Sequence, residues 1–207
     1  MVYEKVAFIV LAAGSGTRFG SQKQFLDFLG KPLWRHIYDK ILSFVPKENV
    51  VVVGVDITGG ITRSQSVMCG LEYLKETKKG FDRVVIVEAA RPLVTKEQLK
   101  NIIEDKHSSS TYALPLVNTI IKRDGTYLNR DDYFSLSTPV AFDYVLFSNA
   151  YLGRKSFEYT DDTKIMYDFY GIKPHFLEGQ ENLIKITYKS DLSVLEMLYK
   201  KYQDWGF

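Results

Sequence analysis

Phe8-Ile9-Val10-Leu11-Ala12-Ala13-Gly14-Ser15-Gly16-Thr17-Arg18-Phe19-Gly20, followed closely by Lys23, is the stretch on which the fold turns. A short apolar run bounded by small residues predicts a buried strand that empties into a loop. Small side chains let backbone N–H groups approach an anion, and Arg18 and Lys23 can neutralise several phosphate charges. The spacing is not the Walker pattern, because no Gly-Lys-Ser/Thr closes the loop. Nor is it the dinucleotide G-x-G-x-x-G pattern, because Phe19 stands where the third glycine belongs. Taken alone, the stretch also admits a plain strand-to-helix turn carrying two solvated cations.

The following segments repeat the theme. Lys31-Pro32-Leu33 predicts a helix start, and Trp34, Ile37, Tyr38, Ile41, Leu42 and Val45 form its apolar stripe before Pro46. Asn49 to Val55 is a valine run suited to a strand buried on both faces. Gly59-Gly60-Ile61-Thr62-Arg63-Ser64-Gln65-Ser66 is a second glycine-bearing loop feeding a helix. Arg83 to Val87 predicts another strand, ending at Glu88-Ala89-Ala90-Arg91-Pro92, and Thr95 and Gln98 have capping-box spacing for the next helix. Thr111 to Leu116 is a fourth strand candidate. Repeated strand-loop-helix units imply a mostly parallel, doubly wound α/β sheet with ligands at the strands' carboxyl ends. The two loops and Glu88 should therefore line one crevice.

Beyond residue 116 the alternation stops. Arg123-Asp124-Gly125-Thr126 is a hairpin signal between Val117–Lys122 and Tyr127–Leu136, predicting a projecting β-hairpin arm over residues 117–136 that acts as a lid or a dimer arm. Helices are expected from Asp143 to Tyr151 and from Asp161 to Tyr170, the latter stopped by Gly171. Short strands are expected at Lys173–Glu178 and Leu183–Thr187, and Asp191 is a candidate cap for a last helix. With no repeat or linker, the 207 residues read as one domain plus the arm.

Composition narrows the function. A net charge of +2 gives no basis for general nucleic-acid binding, and no stretch approaches the roughly 20 apolar residues that span a bilayer. A single cysteine, Cys69, excludes an internal disulfide, and it is expected to be buried and inert. Met1-Val2-Tyr3-Glu4-Lys5 runs into the first strand without a signal-peptide pattern, so a cytoplasmic location is expected. His36 is expected to serve the surface or packing rather than catalysis, and His107 and His175 to lie exposed. For Arg91, pairing with Glu88 and direct substrate contact stand level.

The motifs together resemble the cytidylyltransferases that act on 2-C-methyl-D-erythritol 4-phosphate, and their relatives acting on ribitol 5-phosphate. The resemblance rests on Leu11-Ala-Ala-Gly-Ser-Gly-Thr-Arg18, Lys23-Gln24, Gly59-Gly60 with Arg63 and Ser66, and Ala89-Ala90-Arg91-Pro92. It continues through Asn118-Thr119-Ile120-Ile121-Lys122, Thr138-Pro139, Thr160-Asp161-Asp162 and Ile184-Lys185-Ile186-Thr187. It implies a Rossmann-like nucleotidyltransferase fold in which the first loop, with Gly14 and Gly16, wraps the triphosphate of CTP. Arg18, Lys23 and Lys185 then match the cations over the α-phosphate and leaving pyrophosphate. Ala12, Ala13 and Gly60 lie where cytosine is read, with Arg63 in the same loop and Ser66 beside the base or ribose. Glu88, Arg91, Thr119, Arg130, Thr138 and Thr160 fall on the side of the polyol-phosphate acceptor, and the arm crosses to a partner subunit in a homodimer.

The resemblance also implies Mg²⁺ bridging the phosphates, with Glu88 as its protein ligand. Two departures stand out. The family usually has His-Asp where this chain has Val87-Glu88, and a helix and strand before the Gly-Gly loop are replaced by Asp56-Ile57-Thr58. The implied function is transfer of CMP from CTP to a polyol phosphate, methylerythritol phosphate by default. Ribitol 5-phosphate or another surface-polysaccharide acceptor, and a non-catalytic nucleotide-binding relative, remain the alternatives.

Overall fold

The computed structural model describes residues 2–153 and 159–202. Its centre is a six-stranded sheet: β1 (Val6–Leu11), β2 (Val50–Val53), β3 (Arg83–Glu88), β4 (Ser109–Pro115), β5 (Phe134–Asp143) and β6 (His175–Glu178). The spatial order is β6-β4-β5-β3-β1-β2. Strand β1 pairs in parallel with β2 and β3, and β6 in parallel with β4, whereas β5 runs antiparallel to both β3 and β4. The mostly parallel α/β sheet expected from the sequence is thus present, with one reversed strand inside it.

Alternation within the strands divides the core into two layers, because successive side chains point to opposite faces. Phe8, Val10, Val85 and Val87 pack with Ile37 and Ile41 of α1 (Leu33–Leu42) and with Leu99 and Ile102 of α3 (Lys96–Glu104). Ala7, Ile9, Val84 and Ile86 face the other way. They meet α2 (Arg63–Glu76), α4 (Tyr144–Leu152) and α5 (Thr163–Tyr170). A third apolar cluster joins Phe19, Phe28, Leu33, Leu93 and Ile186 to Leu195 and Leu198 of α6 (Asp191–Tyr202).

Several local signals act as their chemistry dictates. Thr95 and Gln98 form a reciprocal capping box on α3, and Gly171 ends α5 in the left-handed region at φ 70°. His36 packs under Phe28, as expected, and His107 and His175 are exposed. Cys69 is half-buried rather than buried.

Other expectations are corrected. Lys31–Pro32 forms a small antiparallel ladder with Asp27–Phe28, so α1 starts only at Leu33. The arm's ladder is confined to Ile120–Ile121 against Tyr127–Leu128. Of its second expected strand, Arg130–Asp132 forms a 3₁₀ turn and Phe134–Leu136 enters the main sheet as the start of β5, which runs on through the fully buried Val140, Ala141 and Phe142. Pro139, which lacks an N–H, sits where the β4–β5 register jumps. Leu183–Thr187 forms no strand: a 3₁₀ turn over Glu181–Leu183 leads into a segment pinned by Ile186 N donating to Ala90 O at 2.9 Å. Asp191 accepts from the backbone N–H groups of Thr187 and Tyr188, tying that segment to the start of α6 rather than capping the helix from outside.

Candidate functional site

A cleft of about 470 Å³ opens at the carboxyl ends of β1 and β3. Its walls are the first loop, the Gly60–Arg63 loop with the start of α2, the Glu88–Ala90 strand end, and Lys185. This is where a mostly parallel sheet presents its ligand crevice.

The first loop is held by its own backbone. Gly16, at φ 69°, accepts from the N–H groups of Phe19 and Gly20, and a Cβ there would stand 1.7 Å from Ser21 O. No other residue fits that turn without moving backbone. Gln24 donates to Gly14 O at 2.9 Å, and Phe19 is buried in the third apolar cluster. Phe19, the residue that breaks the dinucleotide motif, is therefore the anchor that holds Arg18 and Lys23 at the cleft. The second loop closes against the first: a Cβ on Gly59 would lie 2.2 Å from the Ala13 Cβ. Thr62 then caps α2 in a reciprocal capping box with Gln65, and Ser66 donates back to Thr62 O at 3.1 Å. The N-terminus of α2, where backbone N–H groups favour negative charge, borders the cavity.

Charge in the cleft is arranged around Glu88, which is 8% exposed. Its Oε1 accepts from Lys185 Nζ at 2.9 Å and Arg63 Nε at 3.2 Å. Its Oε2 lies 2.9 Å from Lys185 Nζ and 3.4 Å from Arg91 Nε, with no aligned hydrogen bond. Burial alone would raise the Glu88 pKa; Lys185, Arg91 and Arg63 outweigh it and hold the carboxyl down to about 2. Arg63 in turn reaches the fully buried Asp162 through Nη2 at 2.7 Å, and Tyr151 Oη donates to the other Asp162 oxygen at 2.6 Å. Burial disfavours the Arg63 cation, but Asp162 and Glu88 more than offset this and raise its pKa. Arg63 Nη1 is buried without a hydrogen-bond partner among the described residues.

Lys23 has the opposite balance. Burial, then Lys185 and Arg18, lower its pKa. Three cations from the two ends of the chain thus crowd one cavity that offers a single carboxylate, an arrangement that suits a polyanion.

The cleft brings together Ala12, Ala13, Gly14, Gly16, Arg18, Lys23, Gly60, Arg63, Ser66, Glu88 and Lys185. The acceptor-side candidates are dispersed. Arg91 faces a second cavity, of about 700 Å³, which Thr119 also lines. It pairs with Glu88, one of the two alternatives the sequence left open, and also donates to Leu183 O. Arg130 is exposed and donates to Val117 O. Thr138 is buried with its Oγ1 unpartnered among the described residues, and Thr160 is exposed at the turn before α5. Sequence reasoning missed Gln24 and Thr62 as cleft residues. The Thr62-x-x-Gln65 spacing was the available signal for the second. It also missed the Arg63–Asp162 pair, for which no local pattern exists.

Against known proteins, the sequence model of 2-C-methyl-D-erythritol 4-phosphate cytidylyltransferase (IspD) matches residues 53–201. The enzyme of that name from Thermotoga neapolitana is 31% identical over 220 residues, covering 94% of this chain and 97% of its own length. A bifunctional IspD/IspF enzyme from Campylobacter jejuni is 32% identical over 93% of this chain, which spans 54% of that larger protein. The solved structure of the Campylobacter jejuni bifunctional protein superposes with a TM-score of 0.79 at 31% identity, again over 93% of this chain and 54% of that one. The Thermus thermophilus cytidylyltransferase, at 24% identity and TM-score 0.75, covers 95% of this chain and 99% of its own and shares the fold. Motifs, sheet order, cleft and these likenesses agree: the chain belongs to the 2-C-methyl-D-erythritol 4-phosphate cytidylyltransferase family.

Proposed function

We propose that this chain transfers CMP from CTP to 2-C-methyl-D-erythritol 4-phosphate, releasing pyrophosphate, as a step in isoprenoid precursor synthesis. The carrying observation is the convergence of Arg18, Lys23 and Lys185 on one cleft walled by two close-packed glycine loops. A phosphomonoester has a second pKa near ~6, so its oxygen is an anionic nucleophile at neutral pH without a general base. That oxygen attacks the α-phosphorus, the bond to the β-phosphate breaks, and pyrophosphate leaves with the electron pair. The protein's part is in-line positioning and cations where charge accumulates.

In this reading the first loop, through Gly14 and Gly16, holds the triphosphate, and Arg18, Lys23 and Lys185 stabilise the α-phosphate and the departing group. Cytosine meets the backbone of Ala12, Ala13 and Gly60, with Ser66 beside it. Arg63, with its spare Nη1 donor, faces the nucleotide. Arg91, Thr119, Arg130, Thr138 and Thr160 serve the acceptor. Thr119 and Arg130 act from the arm, whose exposed Val117, Ile121 and Tyr127 suit burial against a second copy in a homodimer.

A divalent cation fits the donor set in a limited way. Glu88 offers one ionised carboxylate, which a cation would have to share with Lys185, Arg91 and Arg63. A hard cation that keeps water and takes most of its ligands from substrate phosphates, as Mg²⁺ does, needs no more from the protein. When bound, it neutralises phosphate charge, and Glu88 is the residue that would hold it. Among the described residues, no helix is long and apolar enough to cross a membrane.

The test is pyrophosphate release from CTP and Mg²⁺ with methylerythritol phosphate, with ribitol 5-phosphate, or with no acceptor. Release dependent on methylerythritol phosphate is expected. Release with ribitol 5-phosphate alone, or failure to bind CTP, would overturn the assignment.

A further inference from the structure

At the opposite end of the sheet, away from the cleft, three side chains converge that the reaction does not use. Asp105 follows α3, His107 lies two residues on, and His175 opens the edge strand β6, where it stands in register with Ser110 of β4. His107 Nδ1 lies 2.8 Å from Asp105 Oδ1, and His175 Nδ1 lies 2.6 Å from Asp105 Oδ2. The two imidazoles stack with centroids 3.8 Å apart and planes 17° from parallel. Among the described residues this is the one group of three metal-ligating side chains whose donor atoms converge, all within 4.8 Å of one another.

The carboxylate is built in rather than placed by chance. Asp105 is nearly buried, and its Oδ1 also accepts from Ser110 Oγ at 2.8 Å and from the His107 N–H at 3.0 Å. Arg83, at the start of β3, donates to Ser110 Oγ at 3.1 Å and to His107 O at 2.9 Å. Supporting hydrogen bonds of this kind are what orient the ligands of metal sites. The His107 and His175 side chains, 58% and 44% exposed, place the cluster at the surface.

We propose that Asp105, His107 and His175 form a binding site for a transition-metal dication of the Zn²⁺, Co²⁺ or Ni²⁺ class, which ties the α3–β4 connection to the edge strand β6. Two imidazole nitrogens and one carboxylate oxygen select these cations over Mg²⁺ or Ca²⁺, which prefer all-oxygen sets. Ligands about 2.1 Å from a tetrahedral Zn²⁺ stand about 3.4 Å apart. The observed separations of 2.8 Å to Oδ1 and 2.6 Å to Oδ2 are hydrogen-bond distances, so the two imidazoles must draw back from Asp105 by roughly half an ångström or more to admit the ion. The stacked rings must also fan apart so that the metal lies in each ring plane. Three protein ligands leave the remaining positions to water.

The experiment uses the full chain, stripped with EDTA and desalted. It is titrated with Zn²⁺ by calorimetry and with Co²⁺ by visible absorption, with melting curves alongside. One Zn²⁺ per chain, a Co²⁺ ligand-field band, and a raised melting temperature are expected, all undiminished by millimolar Mg²⁺. His107→Gln and His175→Gln, at exposed positions that leave the fold intact, should each weaken Zn²⁺ binding at least tenfold. Cytidylyltransfer by both variants in Mg²⁺ should remain at the wild-type rate. Absence of saturable binding, binding unchanged in both variants, or displacement by Mg²⁺ would overturn the site.

Discussion

Phe19 and Ile186 come from opposite ends of the chain, yet both are buried in one small apolar cluster under the cleft. Each follows a cation directly, Arg18 in one case and Lys185 in the other. Packing of two apolar residues thereby fixes the separation of two charges that would otherwise repel. Truncating Ile186 to Ala should cost about 2–5 kcal/mol of stability and lower kcat as Lys185 loses its anchor. Leu195→Ala, in the same cluster but lining neither the cleft nor the second cavity, should cost a similar stability and leave kcat near wild type. Unfolding midpoints and turnover measured on both variants decide the point, and equal losses of kcat would defeat it.

Lys23 carries a charge that its protein surroundings oppose, since burial, Lys185 and Arg18 all lower its pKa. Lys23→Ala should therefore leave the melting temperature unchanged or slightly higher, while turnover falls by roughly 10²–10³-fold. Stability and function move in opposite directions when a residue serves the reaction at the expense of the fold. Turnover near the wild-type level in the folded variant would remove Lys23 from the transition state.

Legibility followed the range of the interactions. The double-faced valine run of β2, the small-residue loop after β1 and the capping box at Thr95 act over a few residues, and each was readable from spacing alone. The strand β5 was not, because an arm's second strand and a sheet strand share the same alternation. Here one continuous segment runs out of the arm region into the sheet. Leu183–Thr187 has strand-like residues, but its backbone bonds to Ala90 and Asp191 rather than to a ladder. The nucleotide half of the cleft could be anticipated because its residues follow strands directly. Asp162 could not: its meaning depends on Arg63, which is brought to it by the packing of α2 against α4 and by Ser64 Oγ accepting from Tyr159 N.

The Arg63–Asp162 pair links the cleft's second loop to the start of α5 in a buried setting, with Tyr151 completing the carboxylate's bonds. Asp162→Asn keeps the shape and removes the charge. Breaking one member of a buried pair typically costs about 3–5 kcal/mol, since the partner is left uncompensated. Arg63 would then bear more heavily on Glu88, its remaining carboxylate neighbour. A loss of that size in urea unfolding, together with a raised KM for CTP, is the expected outcome. An unchanged midpoint would show that the pair is solvated.

Lys40 of α1 is buried behind the cleft, where its Nζ donates to Pro92 O at 2.7 Å and Val94 O at 2.9 Å, just past Arg91. Burial, with smaller contributions from Lys31 and Lys96, lowers its pKa to about 7. An unfolded lysine titrates near ~10.4. Between about 7 and ~10.4 the unfolded chain therefore binds a proton that the folded chain has released, and stability from this group rises with pH. Below about 7 both states are protonated and the cost of burying the charge is constant. The slope cannot exceed about 1.4 kcal/mol per pH unit. Lys40→Met removes the titration while keeping most of the side-chain volume, and all other groups cancel in the comparison. The stability difference between wild type and variant, from urea midpoints at several pH values, should be flat between pH ~5 and ~6.5 and then shift toward wild type up to pH ~10. A difference independent of pH would mean that Lys40 stays charged in the folded chain, with the two carbonyls sufficient to stabilise the cation.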